Sequence, residues 1–306
     1  MGDKVKIRIG HLNITDHLIL GITKDRLDKK VEEFKYLDLE TVPMVGWPEL
    51  VTKLESKDLD GAFILAPSAM DLYRSGVPLR LVLLGHKTGS IFIKRSGAGI
   101  EKIEDFKGQT IIIPFQLSIH HMLVHQLLTQ AGLTPGKDVM FETLAPVQMP
   151  EALEYGEEDK LGGFIVAEPF GSVAINAGHG QVFSLSKDLW PKHPCCVFVV
   201  KENIVNQHPD ALQELVNSLV KSGKLRDSNV DDVADIGARF LKQDKALIKG
   251  ILTDPPDRII TNELLPSPGD FDKMQNYMTD KMGVLKGKID LDKFIDPRFA
   301  KEAQAT

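Results

Sequence analysis

GQTIIIPFQLSIHHMLVHQLLTQAGLTPGKDVMFETLAPVQMPEALEYGEEDKLGGFIVAEPFGSVAINAGHG, running from Gly108 to Gly180, decides how this chain reads. Three apolar runs, Thr110 to Pro114, Val139 to Leu144 and Gly163 to Ala167, read as buried strands, each followed within a few residues by a helical pattern. Strand and helix in alternation give a parallel sheet covered by helices. The turns after these strands hold Ser118, His120, Gln148 and Glu168. In an open α/β sheet such turns lie at the carboxyl ends of the strands, where ligands bind.

The same arrangement repeats before this stretch. Strands are expected at Val5 to Ile9, Leu37 to Val42, Asp60 to Leu65 and Leu79 to Leu84, and helices after Thr15 or Asp16 as N-cap, after Gly46-Trp47-Pro48 and after Ala66-Pro67-Ser68. Glycines in GHKTGSIFIKRSGAG and prolines in WPKHPCCVFVVKENI mark two crossings between two α/β lobes, with residues 1–89 and 197–306 in one and 90–196 in the other. A chain of 306 residues is long for one hydrophobic core, which also favours two lobes. From His208 the pattern turns helical. Leu212, Leu215, Val216 and Leu219 mark one amphipathic face, with Gly223 expected just past its end. Further helices are expected over Val230 to Leu241, Ala246 to Leu252 and Pro268 to Met282, and a frayed polar tail after Phe299.

Hydrophobic content of 42% and charged content of 26% are those of a globular protein. A net charge of −6 and the lack of a dense Lys/Arg block argue against a nucleic-acid surface. No run reaches the roughly 18 apolar residues that span a membrane. MGDKVKIRIG enters a strand with no secretory signal pattern, so the protein is expected outside the cytoplasm if a leader has been removed and cytoplasmic if the chain is complete. Cys195 and Cys196 are the only cysteines, and a disulfide between neighbours is strained.

Several side chains have two readings. Thr15, Ser68 and Ser118 serve as N-caps, or their helix ends converge as an anion site. His121 and His125 have the i, i+4 spacing of a helical metal pair, but no third ligand of matching spacing is near, and the amphipathic pattern turns both towards solvent. His120, in the first helical turn, is placed to donate into the cleft. Glu168 caps a helix or accepts from a ligand N–H or O–H, and as a bare carboxylate it would need a neighbouring cation to tolerate an anion. Trp47 is a packing residue or a stacking platform. No nucleophile elbow, phosphate-binding loop or cofactor motif is present.

With these residues laid out, the chain resembles the substrate-binding proteins of ABC importers in the nitrate, bicarbonate, sulfonate and taurine group. The segments that carry this are ITDHLILG, GWPELVTKL, DGAFILAPSAM, PFQLSIHHMLVHQLL, APVQMPEAL, VAEPFGSVAINAG and HPCCVFVVKENIVNQHPDAL. The resemblance implies a type II periplasmic-binding fold with hinge crossings, and a small oxyanion or organic sulfonate trapped by closure. It implies delivery to a membrane permease, no catalysis and no cofactor, with a monomer expected. By the same resemblance His120, Gln148 and Glu168 face the ligand, together with Trp47, Pro67, Ser68, Ser118 and the Thr15-Asp16 turn. Phe170 stands where a Trp is common in that group. Two other readings stay open: an enzyme similar to the synthase of the thiamine pyrimidine, which uses pyridoxal phosphate and carries a cysteine-rich stretch echoed by Cys195-Cys196-Val197-Phe198, and a cytosolic ligand-sensing domain.

Overall fold

The computed structural model describes residues 4–155 and 160–306. Residues 1–3, ahead of the expected first strand, and 156–159, within the Gly108–Gly180 stretch, lie outside the described residues. In chain order the strands are β1 (Val5–Leu12), β2 (Leu37–Met44), β3 (Gly61–Leu65), β4 (Leu79–Leu84), β5 (Lys87–Thr88), β6 (Ser90–Arg95), β7 (Thr110–Ile113), β8 (Met140–Thr143), β9 (Leu161–Ala167), β10 (Gly180–Leu185), β11 (Cys196–Lys201) and β12 (Ile259–Ile260). They form two five-stranded sheets, ordered β2-β1-β3-β11-β4 and β10-β6-β9-β7-β8, and a short β12-β5 ribbon. Each five-stranded sheet is covered by the helices that follow its strands. Strands β3, β9 and β11 are therefore buried along their whole length and read as continuous apolar runs.

The expectation of purely parallel sheets needs correcting. Strand β6 pairs antiparallel with both β9 and β10, and β11 pairs antiparallel with both β3 and β4. These are the strands that follow the two passages between the sheets. A chain that leaves one sheet at its carboxyl end meets the next sheet at its carboxyl end, so its first strand must run back, against the others.

The C-terminal third is helical and ties the two halves. The helix begun at Pro209 continues through Gly223 to Ser228, so Gly223 does not end it as the sequence had suggested. A Cβ at Gly223 would lie 2.0 Å from the Thr261 carbonyl oxygen, which is the reason for glycine there: the two backbones approach closely. Helices Val230–Leu241 and Lys245–Thr253 pack on the first long helix, Leu18–Asp28, through Leu18, Ile22, Val233, Ile248 and Leu252. Helix Pro268–Asp280 reaches across to the other sheet's helix Ile119–Gln130, where the Tyr277 hydroxyl lies 3.0 Å from His125 Nδ1. The tail after Phe299 is docked rather than frayed. Its last residue accepts from the Leu265 amide and donates through its hydroxyl to the Asn262 carbonyl. Among the described residues no helix is long and apolar enough to cross a membrane.

Candidate ligand site

The carboxyl ends of the two sheets face each other and touch. The Thr15 amide and hydroxyl both donate to the Glu168 carbonyl oxygen, at 2.8 and 2.9 Å, and the Ser68 hydroxyl donates to the Leu117 carbonyl oxygen at 2.8 Å. Thr15 and Ser68 thus spend their hydroxyls across the cleft. Neither caps a helix, as the sequence had suggested: Thr15 opens a short 3-10 turn, Thr15–His17, and Ser68 is the third residue of helix Ala66–Arg74, behind the buried Pro67. Ser118 does cap its helix, accepting from the His121 amide at 3.1 Å. An apolar groove of about 490 Å³ opens beside these contacts, lined by Leu12, Ile14, Val45, Val147 and Phe170 among others.

Behind the contacts lies a buried polar layer. His17 Nδ1 lies 2.9 Å from the Leu12 amide nitrogen and 3.0 Å from the Leu12 carbonyl oxygen, so it either accepts from the amide, with the ring proton on Nε2, or donates to the carbonyl, with a lone pair on Nε2. Burial, reinforced by His11 and His86, holds His17 well below the ordinary histidine range and hence neutral. Its Nε2 has no hydrogen-bond partner, and neither has Nε1 of the fully buried Trp47, whose ring meets His17 edge-on at 5.9 Å. The Trp47 N–H is therefore a buried donor without an acceptor among the described residues, beside a second unsatisfied ring nitrogen. His120, from the facing sheet's helix, places Nε2 2.8 Å from the Ser90 hydroxyl and leaves Nδ1 unpartnered. Burial lowers its pKa to about 3. His193 is buried and lowered to about 3 for the same reason, with Nε2 unpartnered.

Glu168 sits at the end of β9, fully buried. Its carboxylate accepts from the Ser172 amide at 3.0 Å and hydroxyl at 2.9 Å, and from the Arg258 guanidinium. Burial pushes the carboxyl up, and Arg258 and Ser172 only partly oppose this. Arg258 is the cation that sequence reasoning required beside Glu168 and could not place. It arrives from the C-terminal third, beside β12, and it also reaches the Ser172 hydroxyl.

A second knot lies where the two crossings meet the end of β1. Asp16 Oδ2 is 2.9 Å from His86 Nε2, 3.6 Å from Cys195 Sγ and 3.7 Å from Cys196 Sγ. Burial works against an imidazolium at His86, but the Asp16 carboxylate outweighs it and carries the ring up to about 10. Both cysteines are free and buried. Burial opposes ionisation of each thiol, yet the Cys196 thiol and His86 bring Cys195 below the ordinary value, while Cys196 is pushed well above it.

The structure brings Thr15, Asp16, Trp47, Ser68, Ser118, His120 and Glu168 to this region, but leaves Gln148 exposed on the one-turn helix Pro146–Gln148, next to the groove residue Val147. His121 and His125 do not face solvent as the helical pattern suggested. His121 is buried, with Nδ1 2.9 Å from the Gln116 carbonyl oxygen and its ring edge-on to Phe141, and His125 is half covered by Tyr277. Phe141 of β8 covers His121, and the C-terminal helix, through Tyr277, covers His125. His17, His86, His193 and Arg258 escaped the sequence reading. For His86 and His193 a signal existed, because both lie in the two crossing passages.

Two five-stranded α/β sheets joined by two crossings define the class of fold. The chain belongs to the NMT1-like family, whose model matches residues 2–239. It is 26% identical over 237 residues, 72% of its length, to the nitrate import ATP-binding protein NrtC of Synechocystis sp., and spans 35% of that relative. Among solved structures it is similar to the ligand-binding component of an ABC-type import system from Staphylococcus aureus, determined with zinc bound. The TM-score is 0.87 at 27% identity, over 99% of this chain and 100% of that one. It shares its fold with the periplasmic nitrate-binding protein NrtA from Synechocystis, at a TM-score of 0.87 and 18% identity, over 98% and 88%. The fold of this chain is that of both.

Proposed function

We propose that this chain is the substrate-binding component of an ABC-type importer and that it holds a small anion, an inorganic oxyanion or an organic sulfonate, between its two lobes. The observation that carries this is the buried Trp47 Nε1–H, which has no acceptor among the described residues, with the unpartnered His17 Nε2 beside it. A buried donor left unpaired costs about 1–3 kcal/mol, so the Trp47 N–H favours a ligand that brings an acceptor oxygen, and His17 joins it in the tautomer that carries its proton on Nε2. The Ser118 helix end adds to the same side of the balance, as does His120 Nδ1 in the tautomer whose Nε2 accepts from the Ser90 hydroxyl, and Arg258 neutralises Glu168, which would otherwise repel an anion. In this reading the chain works by closure and release rather than by catalysis, outside the cytoplasm and against a membrane permease. The similarity to nitrate-import proteins supports the oxyanion class.

Isothermal titration of the purified protein with nitrate, bicarbonate and a series of alkylsulfonates tests this. One of them should bind, and Trp47→Phe, which removes one N–H and keeps a ring, should weaken that ligand about tenfold, the loss of roughly 1.4 kcal/mol. His120→Ala and Glu168→Ala should each weaken it as well. If all three variants bind within twofold of the parent, the site is elsewhere.

A further inference from the structure

We propose that Asp16, His86, Cys195 and Cys196 form a binding site for one thiophilic divalent cation of the zinc class, placed where the two crossings meet the end of β1. One ligand atom from each of the four lies within 4.8 Å of the other three, and all four side chains are buried. A tetrahedral zinc at its usual bond lengths sets its ligand atoms roughly 3.3–3.8 Å apart, so a contraction of about 1 Å completes the shell. Two thiolates, an imidazole nitrogen and a carboxylate oxygen are a donor set that favours zinc over calcium or magnesium, which take oxygen ligands.

Two further observations point to a missing cation. Asp16 Oδ1 and His86 Nδ1 are buried without a hydrogen-bond partner. His86 Nε2 lies 2.9 Å from the Asp16 carboxylate and 3.2 Å from the Cys196 amide nitrogen, which points its proton at the same atom. A proton on Nε2 satisfies Asp16 and opposes the amide; a lone pair accepts from the amide and opposes the carboxylate. A cation beside Nε2 and Oδ2 takes the lone pair of each and removes the conflict between them, at the cost of the Cys196 amide contact. Binding releases the two thiol protons and the His86 Nε2 proton to solvent as the cation enters.

The location gives the site a role. Asp16 follows β1, His86 lies between β4 and β5, and the cysteines begin β11, so one ion ties three segments of the hinge region. The side chains that would hold the ion are not the donors assigned to the anion, although the two sets meet at Ser90, whose hydroxyl lies 2.8 Å from His120 Nε2 and 4.0 Å from Cys195 Sγ, so the cation can bind even if the anion reading is wrong.

Cobalt(II) titration of the reduced, chelator-treated full chain tests this. Thiolate ligation gives an intense ultraviolet charge-transfer band that histidine and carboxylate ligands do not. The band should saturate at one cobalt per chain, bleach when zinc is added, and vanish in the Cys195→Ser/Cys196→Ser variant. His86→Gln keeps both thiols and should weaken cobalt binding at least about tenfold, since even groups behind a metal ligand cost that much. The wild-type spectrum decides the matter if the double variant does not fold. Cobalt bound with no charge-transfer band, as by the His121 and His125 pair, or no cobalt bound, overturns the proposal, and so does a band that survives in the folded double variant.

Discussion

Glu168 shows how much one residue depends on a partner far along the chain. Its carboxylate is buried, and Arg258 is the cation that pairs with it. Arg258→Ala should destabilise the fold by about 3–5 kcal/mol in urea denaturation, because it strands a buried charge, and should cost more than Glu168→Gln, which removes the charge itself. Buried histidines set the acid limit. Burial holds His11 and His121 at about 4, against 6.5 when unfolded, so the unfolded chain takes up their protons first as the pH falls. The contribution of these two rings is therefore full above about pH 6.5 and is lost between there and pH 4, at a slope approaching about 1.4 kcal/mol per pH unit for each ring. Urea midpoints at pH 7 and pH 5 read this directly. A midpoint that does not fall at pH 5 in the parent, or falls as far in His121→Asn, means these rings are not neutral in the fold.

At the scale of elements, close approach and capping decide what a helix tolerates. Gly223 lies mid-helix, where alanine ordinarily stabilises, yet a Cβ there would meet the Thr261 carbonyl. Gly223→Ala should cost about 1–3 kcal/mol rather than gain the usual fraction of one, measured by the urea midpoint. Ser118→Ala removes the cap of helix Ile119–Gln130 and should cost about 1 kcal/mol. It should also weaken the anion, since the free amides at that helix end lose their fixed direction.

Several kinds of contact join the two parts of the molecule: the Arg258–Glu168 and Lys187–Asp257 ion pairs, the His125–Tyr277 hydrogen bond and hydroxyls across the cleft. Thr15 and Ser68 each place one hydroxyl across the cleft onto a carbonyl of the other side. A neutral hydrogen bond is worth about 1 kcal/mol net, so the double variant Thr15→Val/Ser68→Ala should shift the balance between open and closed forms by about 2 kcal/mol. Small-angle scattering should show a larger radius of gyration for the ligand-free variant than for the parent, with both converging when the ligand saturates. An unchanged radius in the variant would show that closure rests on the helix Pro268–Asp280 and its contacts instead.

Short-range patterning was enough to determine the class of fold. Apolar runs bounded by turn residues located β4 to the residue and most other long strands to within one to three residues, and the period of the apolar face located helix Val230–Leu241. These features are local because burial of a strand or a helix face is written in neighbouring residues. Strand β10, with only its first residue buried, carried no such run and was missed. The sheet direction of β6 and β11, the covering of His121 and the docking of the tail depended on which surfaces meet. The site depended on it more. Asp16 and Cys195 are 179 positions apart, and Glu168 and Arg258 are 90 apart. No periodicity links such pairs; only the meeting of loops at the ends of two sheets does, so the residues that could hold a ligand were partly legible and their partners came from the tertiary structure alone.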